Sequence, residues 1–200
     1  MLEAVTKCAY MAADGFGLDS ETFTSRMQLA PHLLAPTGSD FNTIRKVDTP
    51  LAGYHYDLNF MTIHGKSRFP GLYIWTRDGT KHMVKVPDGC LLVQAGKQME
   101  YATGGHVLAG FHEVVITPET QIVIDRKEKE HKGNTSKLWR VSSTLFSHIA
   151  SDQILQPLGK FMTEEAVREY PPVKTGDFVQ EELNSIALGV GSNEEYKEEE

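Results

Sequence analysis

The stretch GYHYDLNFMTIHGKSRFPGLYIW, residues 53–75, breaks short apolar runs with turn-forming residues and carries His55 and Asp57 two positions apart. In an extended chain, residues i and i+2 project from the same face, so this imidazole and carboxylate converge on one point. Gly65, Pro70 and Gly71 punctuate the stretch, which predicts strands over 53–58, 61–64 and 72–75. The same texture continues downstream, with strands predicted over 83–86, 91–95, 107–117 and 138–146. Arg77-Asp78-Gly79 and Pro87-Asp88-Gly89 supply turns between neighbours. Many short strands at regular spacing imply a mainly β sandwich or barrel.

Helices flank this region. Leu2, Val5, Ala9 and Ala12 recur at helical spacing before Gly15 and Gly17, which predicts an amphipathic helix over 2–14 whose start has no capping side chain. Asp19-Ser20 suits the start of a second short helix reaching to about Leu29. Pro31, Pro36, Gly38 and Asp40 mark loops. A helix over 118–132 interrupts the strands, and Thr163-Glu164-Glu165-Ala166 begins another segment of helix outside the sheets. Residues 191–200 form a polar, acidic tail expected to be disordered.

The chain has 200 residues, 40% apolar and 24% charged, which suits one domain of ordinary size with a substantial core. No run approaches the roughly 18 apolar residues of a membrane-spanning helix, and Met1-Leu2-Glu3-Ala4-Val5 lacks a secretory layout, so no membrane association and a cytoplasmic location are expected. The net charge of −7 is concentrated at the end: residues 181–200 hold seven Glu and one Lys. The nearly neutral remainder argues against nucleic acid as a partner. Arg126, Lys127, Lys129 and Lys132 are interleaved with Glu128 and Glu130, the pattern of a solvated surface. Cys8 and Cys90 have no paired spacing and read as two buried small hydrophobes.

His-x-Asp on a strand invites a metal. Octahedral iron(II) of the two-histidine, one-carboxylate type needs one further imidazole from a distant strand and leaves three positions open. His112, His106 and His64 compete for that role: His112 ends the run Val107-Leu108-Ala109-Gly110-Phe111, His106 adjoins Gly104-Gly105 at a turn, and His64 follows an apolar strand. Arg140-Val141-Ser142 is a second constellation with period two. A guanidinium buried on such a strand needs an anion, either a ligand carboxylate gripped bidentately with help from the serine hydroxyl, or an internal acid.

Taken together, His55-Tyr56-Asp57, Gly71-Leu72-Tyr73-Ile74, Asp78-Gly79, Leu92-Val93-Gln94-Ala95-Gly96, Thr103-Gly104-Gly105, His112 and Arg140-Val141-Ser142 occur in an order that resembles the catalytic half of the isopenicillin N synthase-like group. That group belongs to the 2-oxoglutarate and iron(II)-dependent dioxygenases. The resemblance spans about residues 30–150 and implies a double-stranded β-helix, or jelly roll. It further implies iron(II) held by His55, Asp57 and His112, with the distal carboxylate of the cosubstrate 2-oxoglutarate on Arg140 and Ser142. The domain then runs over 1–190: a helical lead-in over 1–30, the jelly roll over about 31–147 and a helical region over 148–190.

The chain departs from the pattern at Gln94 and Lys97, where relatives usually carry Asn and Asp, and at Leu33–Thr37, where relatives carry a tyrosine that helps hold the oxoacid. Twenty-seven residues separate His112 from Arg140, which the 118–137 insertion explains. The implied activity is oxidation of a small organic substrate with O2. An iron oxidase that uses no 2-oxoglutarate, or a non-catalytic jelly roll binding a small ligand, are the alternatives. Relatives carry an additional N-terminal region, so two alternatives are open: the sequence is a truncated product or fragment, or the surface that region covers in relatives is covered here by self-association.

Overall fold

The computed structural model describes residues 1–131 and 138–187. Its elements are α1 (Leu2–Gly15), β1 (Leu33–Asp40), β2 (Pro50–His55), β3 (Met61–His64), β4 (Leu72–Trp75), β5 (Lys81–Met83), β6 (Leu92–Ala95) and α2 (Lys97–Ala102). There follow β7 (His112–Val115), α3 (Pro118–His131), β8 (Trp139–Ser147), β9 (Ile154–Leu155), α4 (Glu164–Glu169), β10 (Val173–Lys174) and α5 (Thr175–Ala187). Two four-stranded antiparallel sheets form, in the orders β1-β8-β3-β6 and β2-β7-β4-β5, and β9 pairs with β10. The two larger sheets face each other across a cavity of about 560 Å³, lined from one side by Thr37, His64, Arg140 and Thr144 and from the other by Leu51, Leu72, His112 and Val114.

Alternation along β3 and β8 decides where the core lies. Met61, Ile63 and Leu145 pack with Val5, Ala9 and Ala13 of α1, so the apolar side of this sheet is its outer face, covered by a helix. The intervening residues, His64, Thr144 and Phe146, line the inter-sheet space. Most of these inward positions are polar, which turns the centre of the sandwich into a site. A second apolar cluster of Phe41, Phe69, Ile116, Ile124 and Leu138 seats α3. Pro118 opens α3, where a missing N–H is harmless. The Thr117 hydroxyl accepts from the Thr120 amide at 3.1 Å and the Thr120 hydroxyl from the Thr117 amide at 3.0 Å, a reciprocal cap.

Several expectations are corrected. Residues 33–40, for which Pro36 and Gly38 predict loop, form a strand in full register with β8. β1 is outermost in its sheet, the place where proline is tolerated. The strand expected over 107–117 shrinks to β7, because Gly104 and Gly105 take positive φ and the Ala109 amide is captured by the Glu100 carboxylate at 2.8 Å. The helix expected to reach Leu29 is a single 3-10 turn, Thr24–Met27, followed by Leu29 at φ 56. β5 starts at Lys81 rather than Met83. The Asp78 carboxylate, accepting from the Thr76 hydroxyl at 2.6 Å and the Thr80 amide at 3.0 Å, closes the turn and sets that register. α2 has no counterpart among the expected elements. Cys90 is exposed and Cys8 only partly buried, against the expectation for both. The acidic tail at 191–200 lies outside the described residues. Among the described residues no helix is long and apolar enough to cross a membrane.

Candidate metal centre

His55 and His112 are register partners across β2 and β7, so their side chains rise side by side from one face, with ring centroids 4.2 Å apart. β2 is irregular on its approach: four residues, Ala52 to His55, oppose three, Val114 to His112. A bulge of this kind bends the strand and re-aims the side chain at its end. His112 is also opposite Ile74 of β4, which places it in the middle of its sheet and explains its burial.

Asp57 leaves β2 two residues beyond His55. Its Oδ1 lies 3.8 Å from Nε2 of His55 and 3.8 Å from Nε2 of His112. One ligand atom from each of the three residues falls within 4.8 Å of the others. The remaining atoms of the trio are tied back. The Thr62 hydroxyl donates to Asp57 Oδ2 at 2.6 Å, the Gly53 carbonyl faces His55 Nδ1 at 2.6 Å, and His112 Nδ1 is bracketed by the Gly110 carbonyl at 3.1 Å and the Gln94 carboxamide at 2.6 Å. Each imidazole thus presents Nε2 to the shared point while its other nitrogen is held by protein. Burial lowers the His112 pKa, with the Asp57 charge pulling the other way, which favours the neutral form that ligates metals. Two imidazole nitrogens and one carboxylate suit a divalent first-row ion such as iron(II).

Arg140 and Ser142 stand on β8 opposite Ser39 and Thr37, and both line the same cavity as the trio. Arg140 is 7% exposed, its Nε bonds to nothing, and no acid lies within ion-pair distance among the described residues. The internal ion pair that could have explained it is absent there. Burial alone depresses its pKa. An unpaired guanidinium enclosed in a cavity is unfavourable unless an anion enters.

Of the competing histidines, His106 sits exposed in the turn, its ring 5.1 Å from that of Phe161 and away from the trio. His64 lines the cavity, 5.9 Å ring to ring from His112, and burial pushes its pKa down to about 4. Three contributors lie outside the sequence prediction. Thr62 and Gln94 orient Asp57 and His112. Buried Glu100 accepts from Ala109 at 2.8 Å and from the Tyr170 hydroxyl at 3.1 Å and pairs with Lys97 at 2.5 Å, anchoring the turn that delivers His112. Thr62 has a visible signal in being on the face of β3 that adjoins the His-x-Asp pair, and Gln94 stands out in the sequence only as a departure from the family pattern.

No sequence-family model and no curated protein matches the chain. Solved structures do. The chain is similar to a protein of Caulobacter crescentus described as of the 2OG-Fe(II) oxygenase family, with a TM-score of 0.73 and 24% identity, over 92% of this chain and 55% of that one. It is similar to a full-length Neurospora crassa protein in complex with alpha-KG at a TM-score of 0.71 and 16% identity, over 91% of this chain and 53% of that one. A rice dioxygenase for auxin oxidation gives 0.69 and 18%, over 90% of this chain and 54% of that one. The fold is the double-stranded β-helix of these oxygenases. The chain spans about half the length of the structures it matches. At these identities the likeness concerns the fold; the residues of the site carry the rest.

Proposed function

We propose that the chain is an iron(II)- and 2-oxoglutarate-dependent oxygenase acting on a small organic substrate. His55, Asp57 and His112 hold the metal by one face, and Arg140 with Ser142 grips the distal carboxylate of the oxoacid. The bound iron would supply activation of O2, coupled to oxidative decarboxylation of 2-oxoglutarate to succinate and CO2, with one oxygen atom going to the oxidised substrate. This chain's residues do the rest. Three protein ligands leave adjacent positions open, Arg140 orients the oxoacid towards them, and Leu51, Leu72 and Val114 give the cavity a partly apolar wall that limits water.

One observation carries the reading: a buried arginine with no partner among the described residues opens into the same cavity as a His-Asp-His trio. An oxidase without an oxoacid would need its own substrate to bring the carboxylate to Arg140, and a non-catalytic jelly roll leaves the aligned trio unexplained. The test is succinate formation and O2 uptake with iron(II), 2-oxoglutarate and a panel of small organic acids and heterocycles. Arg140→Ala is expected to abolish succinate formation while leaving iron binding within about twofold. Oxygen uptake by the parent chain with no dependence on 2-oxoglutarate would overturn the proposal in favour of the oxidase.

A further inference from the structure

The cavity wall built by β1, β8 and β3 is polar except at Phe146: Thr37, Ser39, Arg140, Ser142, Thr144 and His64 all line it. His64 is opposite Thr144 in the register, four residues along β8 from Arg140, and its ring lies edge-on to that of His112. Two buried nitrogens on this wall have no hydrogen-bond partner among the described residues, Nε of Arg140 and Nε2 of His64. The other His64 nitrogen, Nδ1, is 3.3 Å from the Thr144 hydroxyl. A buried nitrogen without a partner is unfavourable, and two of them on one wall of one cavity describe a site that an oxygen-rich guest completes. Arg140 takes a carboxylate. His64 lines the same cavity as Arg140 and the metal trio, with its ring 5.9 Å from that of His112.

We propose that His64 is a positioning residue for the oxoacid, donating from Nε2 to one of its oxygens while the Thr144 hydroxyl donates to Nδ1. This rests on the oxygenase reading above. A neutral imidazole has one donor and one acceptor nitrogen, so a hydrogen bond donated by the hydroxyl to Nδ1 leaves the ring's single proton on Nε2. The pair His64–Thr144 is then a tautomer-locked donor on a rigid strand, which constrains the oxoacid at a second point besides its distal carboxylate.

The test is anaerobic calorimetry of iron(II) and then of 2-oxoglutarate on the full chain and its His64→Leu, His64→Gln and Thr144→Val variants. His64→Leu is expected to bind iron as the parent does but 2-oxoglutarate at least about tenfold more weakly, the effect of one hydrogen bond to a charged acceptor. His64→Gln keeps an N–H donor and is expected to recover most of that loss, whereas Thr144→Val, which frees the tautomer, falls between. Unchanged oxoacid affinity in both His64→Leu and Thr144→Val would overturn the inference with the oxygenase reading intact. So would loss of iron together with oxoacid in both, because His64 would then act on the metal. A parent chain that binds iron but no oxoacid would overturn the oxygenase reading itself, and this inference with it.

Discussion

Asp57 is held by one oxygen and offers the other. The Thr62 hydroxyl at 2.6 Å fixes Oδ2, which leaves Oδ1 facing both imidazoles at 3.8 Å. Valine at position 62 keeps the shape and removes the donor, so Thr62→Val is expected to lower iron(II) affinity about tenfold or more with the fold retained, read by competition against a chelator. Unchanged affinity would mean that the carboxylate needs no such tether. Arg140 gives the opposite kind of prediction. A buried cation that finds no partner among the described residues opposes folding, and replacing it by an apolar residue of similar length removes that penalty. Arg140→Met should therefore raise the thermal midpoint of the ligand-free protein, by about 1 kcal/mol or more of stability, while abolishing 2-oxoglutarate binding. A lowered midpoint would show that Arg140 serves the fold rather than a guest.

Among the elements, the junction of β6 and α2 carries the metal-bearing loop. A Cβ on Gly96 would come within 2.1 Å of the Asn59 carbonyl oxygen and 2.9 Å of that of Asp57, both backbone atoms that cannot step aside. The Gln98 and Lys97 amides bond those same carbonyls at 3.1 and 2.8 Å. Gly96→Ala is expected to destabilise the protein by about 2 kcal/mol or more in urea denaturation and to weaken iron binding with it. An unaltered midpoint would contradict the close approach. This junction also explains why α2 is illegible in the sequence: its first amides find their partners on a loop about forty residues earlier, a tertiary fact with no local signature. β1 is hidden for the converse reason, since Pro36 and Gly38 speak for a loop unless the strand is known to lie at an edge. β3 and β4 are legible because alternation and bounding glycines are local, and those two strands agree with the prediction residue for residue.

For the molecule as a whole, His148 ties stability to pH. His148 is partly buried beside His32, whose Nδ1 accepts its backbone amide at 3.1 Å, and desolvation drives the His148 pKa from 6.5 to about 4. The unfolded chain therefore takes up that proton first as pH falls. The stabilisation is fully present above pH 6.5 and is lost as pH drops through the window down to 4. Between pH 7 and pH 5 this histidine alone should remove about 2 kcal/mol, seen as a drop in the urea midpoint that His148→Leu diminishes. Equal pH sensitivity in both proteins would exclude it as the cause. At this scale the sequence is readable only in part. The period-two pairs His55/Asp57 and Arg140/Ser142 announce two sites, but that both open on one cavity follows from how two sheets stack, and the orphaned nitrogen of His64 is visible only once the strands are paired.

The central claim is that His55, Asp57 and His112 share one ferrous ion. Anaerobic iron(II) titration of the parent chain against Asp57→Ala and His112→Ala tests it most directly. One tightly bound iron per parent chain, and none in either variant at the same free iron concentration, is the predicted result. Iron bound equally by the parent and both variants would contradict it.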